Sequence, residues 1–364
     1  MSTLGEIHRE NYKEIEYSIH TAFNALEIES IHRVYTIGDG DSYHACVSAE
    51  MSFNQFAKIR NSPMSAMHFL EYGADYIQAN FPNDTLIVGV SASGGSSRVV
   101  QALERARTVS DKLQITSLVG KVESLVAASA DKVISVQLPE LGRSPGIRTY
   151  TASLMGLISL AIRIGEIKGN YHMNEANAMR KEIIDMGDMV DDTVKASIEV
   201  SKKAAEVCKN APFISYTGSG PSLGSAMFCS AKVIEACGIF SAAQDLEEWA
   251  HVERFAYPLD FPVFIVAPPG KSYWRALELA KGVKILGHPL MIVVEEGDKE
   301  IAEYADFVFP VKGKIREAFS SLLYYQAGTV FSYYLAEKLG RNMFMTDNVE
   351  VMKVREELQK QIRG

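Results

Sequence analysis

The chain has 364 residues, 47% hydrophobic and 23% charged, with a formal net charge of −8. That length suits two or three domains and the composition is ordinary for a globular chain. The acidic balance, with no Lys/Arg cluster, excludes the basic footprint of a nucleic-acid binder. Met1 to Tyr12 is polar and mixed in charge, with no signal-peptide core. The longest apolar stretch, Leu154 to Ile164, carries Arg163 and is short for a membrane span, so no membrane is expected. The cysteines, Cys46, Cys208, Cys229 and Cys237, show no paired spacing, and Cys229 and Cys237 fall two turns apart on one helical segment. A reduced, cytoplasmic protein is expected. No CxxC, HxxxH or Asp/Gly calcium loop occurs, and neither a metal nor a cofactor is expected.

In chain order, residues 1–30 read as a leading amphipathic helix. Val34–Ile37 is a strand, followed by Gly38-Asp39-Gly40-Asp41-Ser42 and a helix from about Tyr43. Thr85–Val90 is a second strand, followed by Ser91-Ala92-Ser93-Gly94-Gly95-Ser96 and a helix over Ser97–Val109. Strands Ile115–Val119 and Val133–Val136 come next, and a helix from about Thr149 to Ile167 closes the unit. A polar helical stretch, Asn174 to Glu206, leads to a second unit of the same order: strand Phe213–Tyr216, the turn Thr217-Gly218-Ser219-Gly220-Pro221, and a helix to Cys237. Then come strand Val263–Val266, the loop Ala267–Ser272, a helix through Lys281, strands Leu290–Val294 and Phe307–Phe309, and a helix over Ala318–Leu339. Short apolar runs alternating with amphipathic segments predict βαβ units and parallel sheets. The two Gly-x-Gly turns, about 180 residues apart, predict duplicated domains rather than a solenoid. The expected divisions are 1–30 (helix), 31–170 (first lobe), 171–206 (linker), 207–340 (second lobe) and 341–364 (tail).

At these loops the sequence resembles the sugar-isomerase-domain (SIS) family in its double-SIS branch, over roughly residues 30–340. That branch includes the isomerase half of glucosamine-6-phosphate synthase, amino-sugar-phosphate deaminases and fructosamine-6-phosphate deglycases. The family's Gly-x-Ser is met by Gly40-Asp41-Ser42. Its Ser-x-Ser-Gly-x-Ser/Thr loop is met by Ser91, Ala92, Ser93, Gly94 and Ser96. Its Lys-x-x-Glu and Glu-x-x-His are met by Lys232 with Glu235 and by Glu248 with His251. The resemblance implies two flavodoxin-like three-layer α/β lobes, a phosphorylated sugar as ligand, and a homodimer in which His251 completes a neighbour's site.

The chemistry of the residues agrees. Ser91–Ser97 lies between a strand and a helix, where glycines allow close backbone approach and a helix N-terminus offers unpaired N–H groups to a phosphate. Ser42, Ser93 and Ser96 would add hydroxyl donors; the plain alternative is that these are turn and N-cap residues. In the second lobe Pro268 and Pro269 remove N–H donors, so one phosphate site per lobe pair is expected. Glu235 is the candidate base for C1–C2 enolisation. Lys232, one turn earlier, would stabilise developing negative charge, although an i,i+3 ion pair is also common on helix surfaces. His251 resembles the family's ring-opening acid/base. Trp249 and Tyr257 are candidates to line the site, and aromatic core packing is the expectation preferred for both.

Three departures bear on function. Gly146-Ile147-Arg148 stands where the family has Ser-Thr-Lys. No amidotransferase lobe is expected before the first helix, and where the synthase has a C-terminal Asp-x-Pro-Arg-x-Leu-x-Lys these residues read Thr346-Asp347-Asn348-Val349-Glu350-Val351-Met352-Lys353. Glutamine-dependent synthesis is therefore not expected of these residues. The readings left are deamination with isomerisation of an amino-sugar phosphate, deglycation of a 6-phosphofructosyl-amine, and a non-catalytic sugar-phosphate sensor.

Overall fold

A computed structural model describes residues 3–142 and 145–362; residues 1–2, 143–144 and 363–364 lie outside the described residues. Chain packing divides between Asp188 and Met189, and each half is taken by itself.

The first half holds β1 (Arg33–Gly38), β2 (Asn61–Ser65), β3 (Thr85–Ser91), β4 (Gln114–Val119) and β5 (Lys132–Ser135). All pairings are parallel, in the order β2-β1-β3-β4-β5. The second half holds β6 (Phe213–Thr217), β7 (Phe240–Gln244), β8 (Val263–Ala267), β9 (Leu290–Glu295) and β10 (Phe307–Val311), again parallel, in the order β10-β9-β8-β6-β7. Counted from its own first strand, each sheet reads 2-1-3-4-5, the flavodoxin-like order, which places ligands outside the carboxyl ends at the point where the order reverses. The expected pair of parallel α/β lobes is what the chain forms.

The central strands were legible because both faces of a parallel sheet are covered by helices and the strands become continuously apolar; every residue of β3 is buried. The two strands without a sequence signal, β2 and β7, lie at sheet edges. Asn61-Ser62-Pro63-Met64-Ser65 has no apolar run, and its proline is tolerated only because an edge strand need not donate from every amide.

Helix boundaries differ from the sequence reading in two places. The leading helix is interrupted after Ala22: Asn24 accepts from the amide of Glu27 while the Glu27 carboxylate accepts from the amide of Asn24, a capping box that starts a separate helix, Ala25–Glu29. The helix expected from Ala318 begins as a 3₁₀ turn, Glu317–Leu322, and becomes α-helical over Tyr325–Lys338. The helix Ile147–Ile167 extends well beyond its most apolar run and by length and composition could cross a membrane, yet it lies mostly buried inside the first lobe. Its Arg163 pairs with Glu166 at 2.9 Å, and Glu166 also receives Arg180 at 2.5 Å. The stretch read as a linker belongs to one helix, Met173–Cys208.

All four cysteines are buried and free. Cys229 and Cys237 donate to the carbonyls of Tyr325 and Ser332 respectively, tying helix Pro221–Cys237 to helix Tyr325–Lys338.

The second lobe encloses one imidazole. The His288 ring sits 4.1 Å from that of Phe261 and 6.1 Å from that of Trp249, and neither ring nitrogen has a well-formed hydrogen bond. Burial lowers its pKa against the opposing pull of the Phe261 backbone and the Asp260 carboxylate. A depressed folded-state value means that the neutral ring's contribution is complete above the ordinary histidine pKa of about 6.5 and is lost as pH falls through the folded value. Replacing His288 with Leu should therefore shrink the drop in urea-unfolding midpoint between about pH 7.5 and about pH 5. Equal drops in both proteins would assign that acid sensitivity to other groups.

Candidate functional site

In the first lobe the turn after β1 is held by two glycines. A Cβ on Gly38 would stand 2.8 Å from the carbonyl carbon of Ser42, and Gly40 has φ +53°. The turn starts helix Asp41–Ser52, on which Ser42 is buried. The loop after β3 is equally constrained. Gly94 has φ +68°, and a Cβ there would collide with the Ser124 side chain; its amide donates to the Ser91 carbonyl at 3.1 Å. Ser96 caps helix Ser97–Val109 by accepting from the Val99 amide at 3.4 Å. The two loops meet: the Ser96 hydroxyl donates to Asp39 Oδ2 at 3.1 Å, and Asp39 Oδ1 accepts from the Ala66 amide at 3.2 Å.

Strand order reverses between β1 and β3, so Gly40, Ser42, Ser91, Ala92, Ser93 and Ser96 all lie at the carboxyl edge beside the reversal. Ser91 is buried at the end of β3, while Ser93 and Gly95 are exposed. The turn and cap bonds that offered the plain alternative are present. Ser93 Oγ accepts from the Gly95 amide at 3.3 Å, and Ser96 is the cap. Asp39 went unremarked in the sequence reading, because only the folded chain brings residue 39 to residue 96. Asp41, at the first turn of its helix, lies 3.9 Å from His44 Nδ1.

In the second lobe, Gly218 and Gly220 repeat the turn, with Gly220 at φ +58°. The loop after β8 does not repeat its counterpart. The Lys271 amide donates to Glu317 Oε1 at 3.0 Å, and Gly270 lies so close to that carboxylate that a Cβ would collide with it. The protein's own carboxylate takes the amide that an anion would need.

Lys232 and Glu235 form an ion pair of 2.5 Å on helix Pro221–Cys237. Lys232 is 2% exposed, with Nζ 4.8 Å from the Phe228 ring centre; the Glu235 side chain is 29% exposed. His251 ends helix Leu246–His251 with its side chain 66% exposed. Its Nε2 lies 2.9 Å from Oε1 of Glu247, not Glu248, and Arg275 Nε donates to Glu247 Oε2 at 2.6 Å. The Arg275 guanidinium, more than the imidazole, holds the Glu247 carboxyl below the usual carboxylate range. Trp249 is core as expected, donating to Ser215 Oγ at 3.0 Å, whereas Tyr257 is 78% exposed. The ring lies outside the apolar cluster that takes Trp249. No group of three or more His, Cys, Asp or Glu able to hold a metal occurs among the described residues.

The SIS domain family matches residues 27–163. The match falls within the first lobe. The two-lobed SIS fold extends over the chain. The C-terminal domain of glucosamine-fructose-6-phosphate aminotransferase from Francisella tularensis superposes with TM-score 0.76 at 16% identity, covering 91% of this chain and 94% of that one. Glucosamine-6-phosphate deaminase from Thermotoga maritima gives 0.69 at 18% identity, covering 94% and 96%. In sequence, glutamine–fructose-6-phosphate aminotransferase (isomerizing) of Pyrococcus horikoshii is 23% identical over 311 residues, 85% of this chain and 50% of that protein. The chain thus spans about half the length of the curated relatives it matches. It is consistent with a double-SIS family related to phosphosugar isomerases.

Within the first lobe the two glycines of the Ser91–Ser96 loop make unequal demands. Gly94 needs a positive φ and the space beside Ser124, whereas a Cβ on Gly95 would meet nothing nearer than Ser93 Oγ at 3.8 Å. Gly94→Ala should lower unfolding stability by roughly 1–3 kcal/mol, and Gly95→Ala by less than about 1 kcal/mol, measured by urea titration. Equal losses would show that the loop can relax away from Ser124.

Proposed function

We propose that this chain acts on an amino-sugar 6-phosphate by enolisation between C1 and C2, as a deaminase/isomerase. The observation that carries this reading is the convergence, at the point of strand reversal, of two glycine-shaped loops and the N-terminus of helix Ser97–Val109. Such a place offers backbone N–H donors to a dianion without a built-in counterion. Similarity to fructose-6-phosphate aminotransferases and to a glucosamine-6-phosphate deaminase supports a phosphosugar as the ligand.

The phosphate would sit against Ser91–Ser96 and Ser42, with Asp39 competing for the single hydroxyl proton of Ser96. Ring opening, assisted by His251, exposes the C1 aldehyde. Glu235 removes the C2 proton and returns it at C1, giving a 2-imine; water then replaces ammonia at C2 and a ketose phosphate leaves. Lys232 offsets the negative charge that develops on oxygen. The exposed position of His251 supports its service to a neighbouring subunit, and hence a homodimer.

Single substitutions, subunit mixing and a substrate panel test this. Ser93→Ala should raise KM for the phosphosugar more than it lowers kcat, because phosphate contact is largely uniform binding; an unchanged KM removes the loop from the site. Glu235→Gln should lower kcat by about 10²–10⁴, the scale of lost general-base catalysis, while substrate still binds. Thermal unfolding is followed in parallel, since Lys232 is buried beside it. Mixing that variant with His251→Ala should restore activity if sites are shared. A rate within threefold of wild type would remove Glu235 as the base. The substrate panel should include phosphofructosyl-amino acids, because release of free amino acid in place of ammonia would identify a deglycase using the same base.

A further inference from the structure

His251 is not a solitary imidazole. Glu247, one turn earlier on the same short helix, places Oε1 2.9 Å from its Nε2. The other oxygen, Oε2, receives Arg275 Nε at 2.6 Å, and Arg275 NH1 reaches Glu278 at 2.9 Å. Arg275 belongs to helix Tyr273–Leu286, so an imidazole on one element is oriented through a carboxylate by a guanidinium on another. Each Glu247 oxygen faces one donor.

We propose that Glu247 and Arg275 are positioning residues that hold His251 as its Nε2–H tautomer, so that Nδ1 is the nitrogen offered to a ligand. An ionised carboxylate can only accept, so the nitrogen facing it must carry hydrogen; in the neutral ring the other nitrogen then carries the lone pair. Glu247 stays ionised because Arg275, the stronger influence, and His251 both favour its charged form. Arg275 suits this place because a planar fork can serve Glu247 and Glu278 at once, which a lysine ammonium does not reproduce. Exposed ion pairs add little to stability, so the consequence of this chain of contacts is direction rather than folding energy. That the offered nitrogen serves ring opening rests on the function proposed above; the tautomer does not.

The full chain, labelled with ¹⁵N-histidine, reports the tautomer directly through long-range ¹H–¹⁵N correlations of the neutral ring, with His251 assigned from the spectrum of His251→Gln. Wild type should show one tautomer, with Nδ1 at the shift of an unprotonated nitrogen. Glu247→Ala should move both nitrogens toward the average of the two tautomers, with the urea midpoint unchanged. Arg275→Lys should move them in the same direction by a smaller amount. A mixed or Nδ1–H wild-type ring, or a Glu247→Ala spectrum matching wild type, overturns the proposal. In turnover, Glu247→Ala should lower kcat about fivefold, the rate equivalent of one exposed pair, with KM within about twofold. A changed tautomer with unchanged kcat would leave the positioning standing and remove His251 from the reaction.

Discussion

Two strand-to-helix turns in which no Cβ fits set the geometry of both carboxyl edges. At Gly38 a Cβ would stand 2.8 Å from the Ser42 backbone, and at Gly218 2.7 Å from the Ser222 carbonyl oxygen. The following glycines, Gly40 and Gly220, adopt φ/ψ of 53°/−127° and 58°/−131°, a conformation closed to residues with a side chain. In both turns the serine amide donates back to the residue between the glycines at 3.2 Å. A backbone this tight fixes where the intervening side chain goes, and each lobe uses that side chain to tie its turn to a neighbouring segment. Asp39 reaches Ser96 and the Ala66 amide; Ser219 donates to Asp245, which caps helix Leu246–His251.

From this shared backbone the two copies have diverged in electrostatics. After β3 the first lobe leaves its loop amides facing the edge, with a carboxylate, Asp39, bound to the hydroxyl of the serine cap rather than to a backbone amide. After β8 the second lobe delivers Glu317 to the corresponding amide. A carboxylate there occupies the Lys271 amide, whereas in the first lobe the carboxylate engages a side-chain hydroxyl. The prolines at 268 and 269 point the same way. The second lobe instead carries its ionisable chemistry on helices, in the Lys232–Glu235 pair and the Arg275–Glu247–His251 chain.

What the sequence made legible follows from range. Buried parallel strands announce themselves in apolar runs, and Gly-x-Gly turns in two letters, so the lobes, their order of elements and the loops at their edges could be read directly. Edge strands β2 and β7 lack that signature because half their surroundings are solvent. The capping box at Asn24 and Glu27 and the i,i+4 spacing of Glu247 and His251 were local and readable in principle. Asp39 beside Ser96, Arg275 beside Glu247 and Glu317 beside Lys271 are not readable, since separations of 57, 28 and 46 residues leave no periodic trace.

The two ion pairs of the second lobe differ in a way that bears on their chemistry. A buried ammonium is costly unless compensated, and Lys232 is compensated by the Phe228 ring on one side and by Glu235 on the other. Glu235, by contrast, keeps a share of its surface open. A pair with its cation sealed in and its carboxylate partly open is asymmetric: the ammonium is held in place while the carboxylate reaches the surface. In an ordinary surface pair both ends are exposed, as in Lys202 with Glu199, with side chains 49% and 73% exposed. The residue types and spacing are alike in the two cases, Lys and Glu three apart on a helix. Only burial separates the two pairs, and it comes from the packing of helix Pro221–Cys237 against its sheet and against helix Tyr325–Lys338.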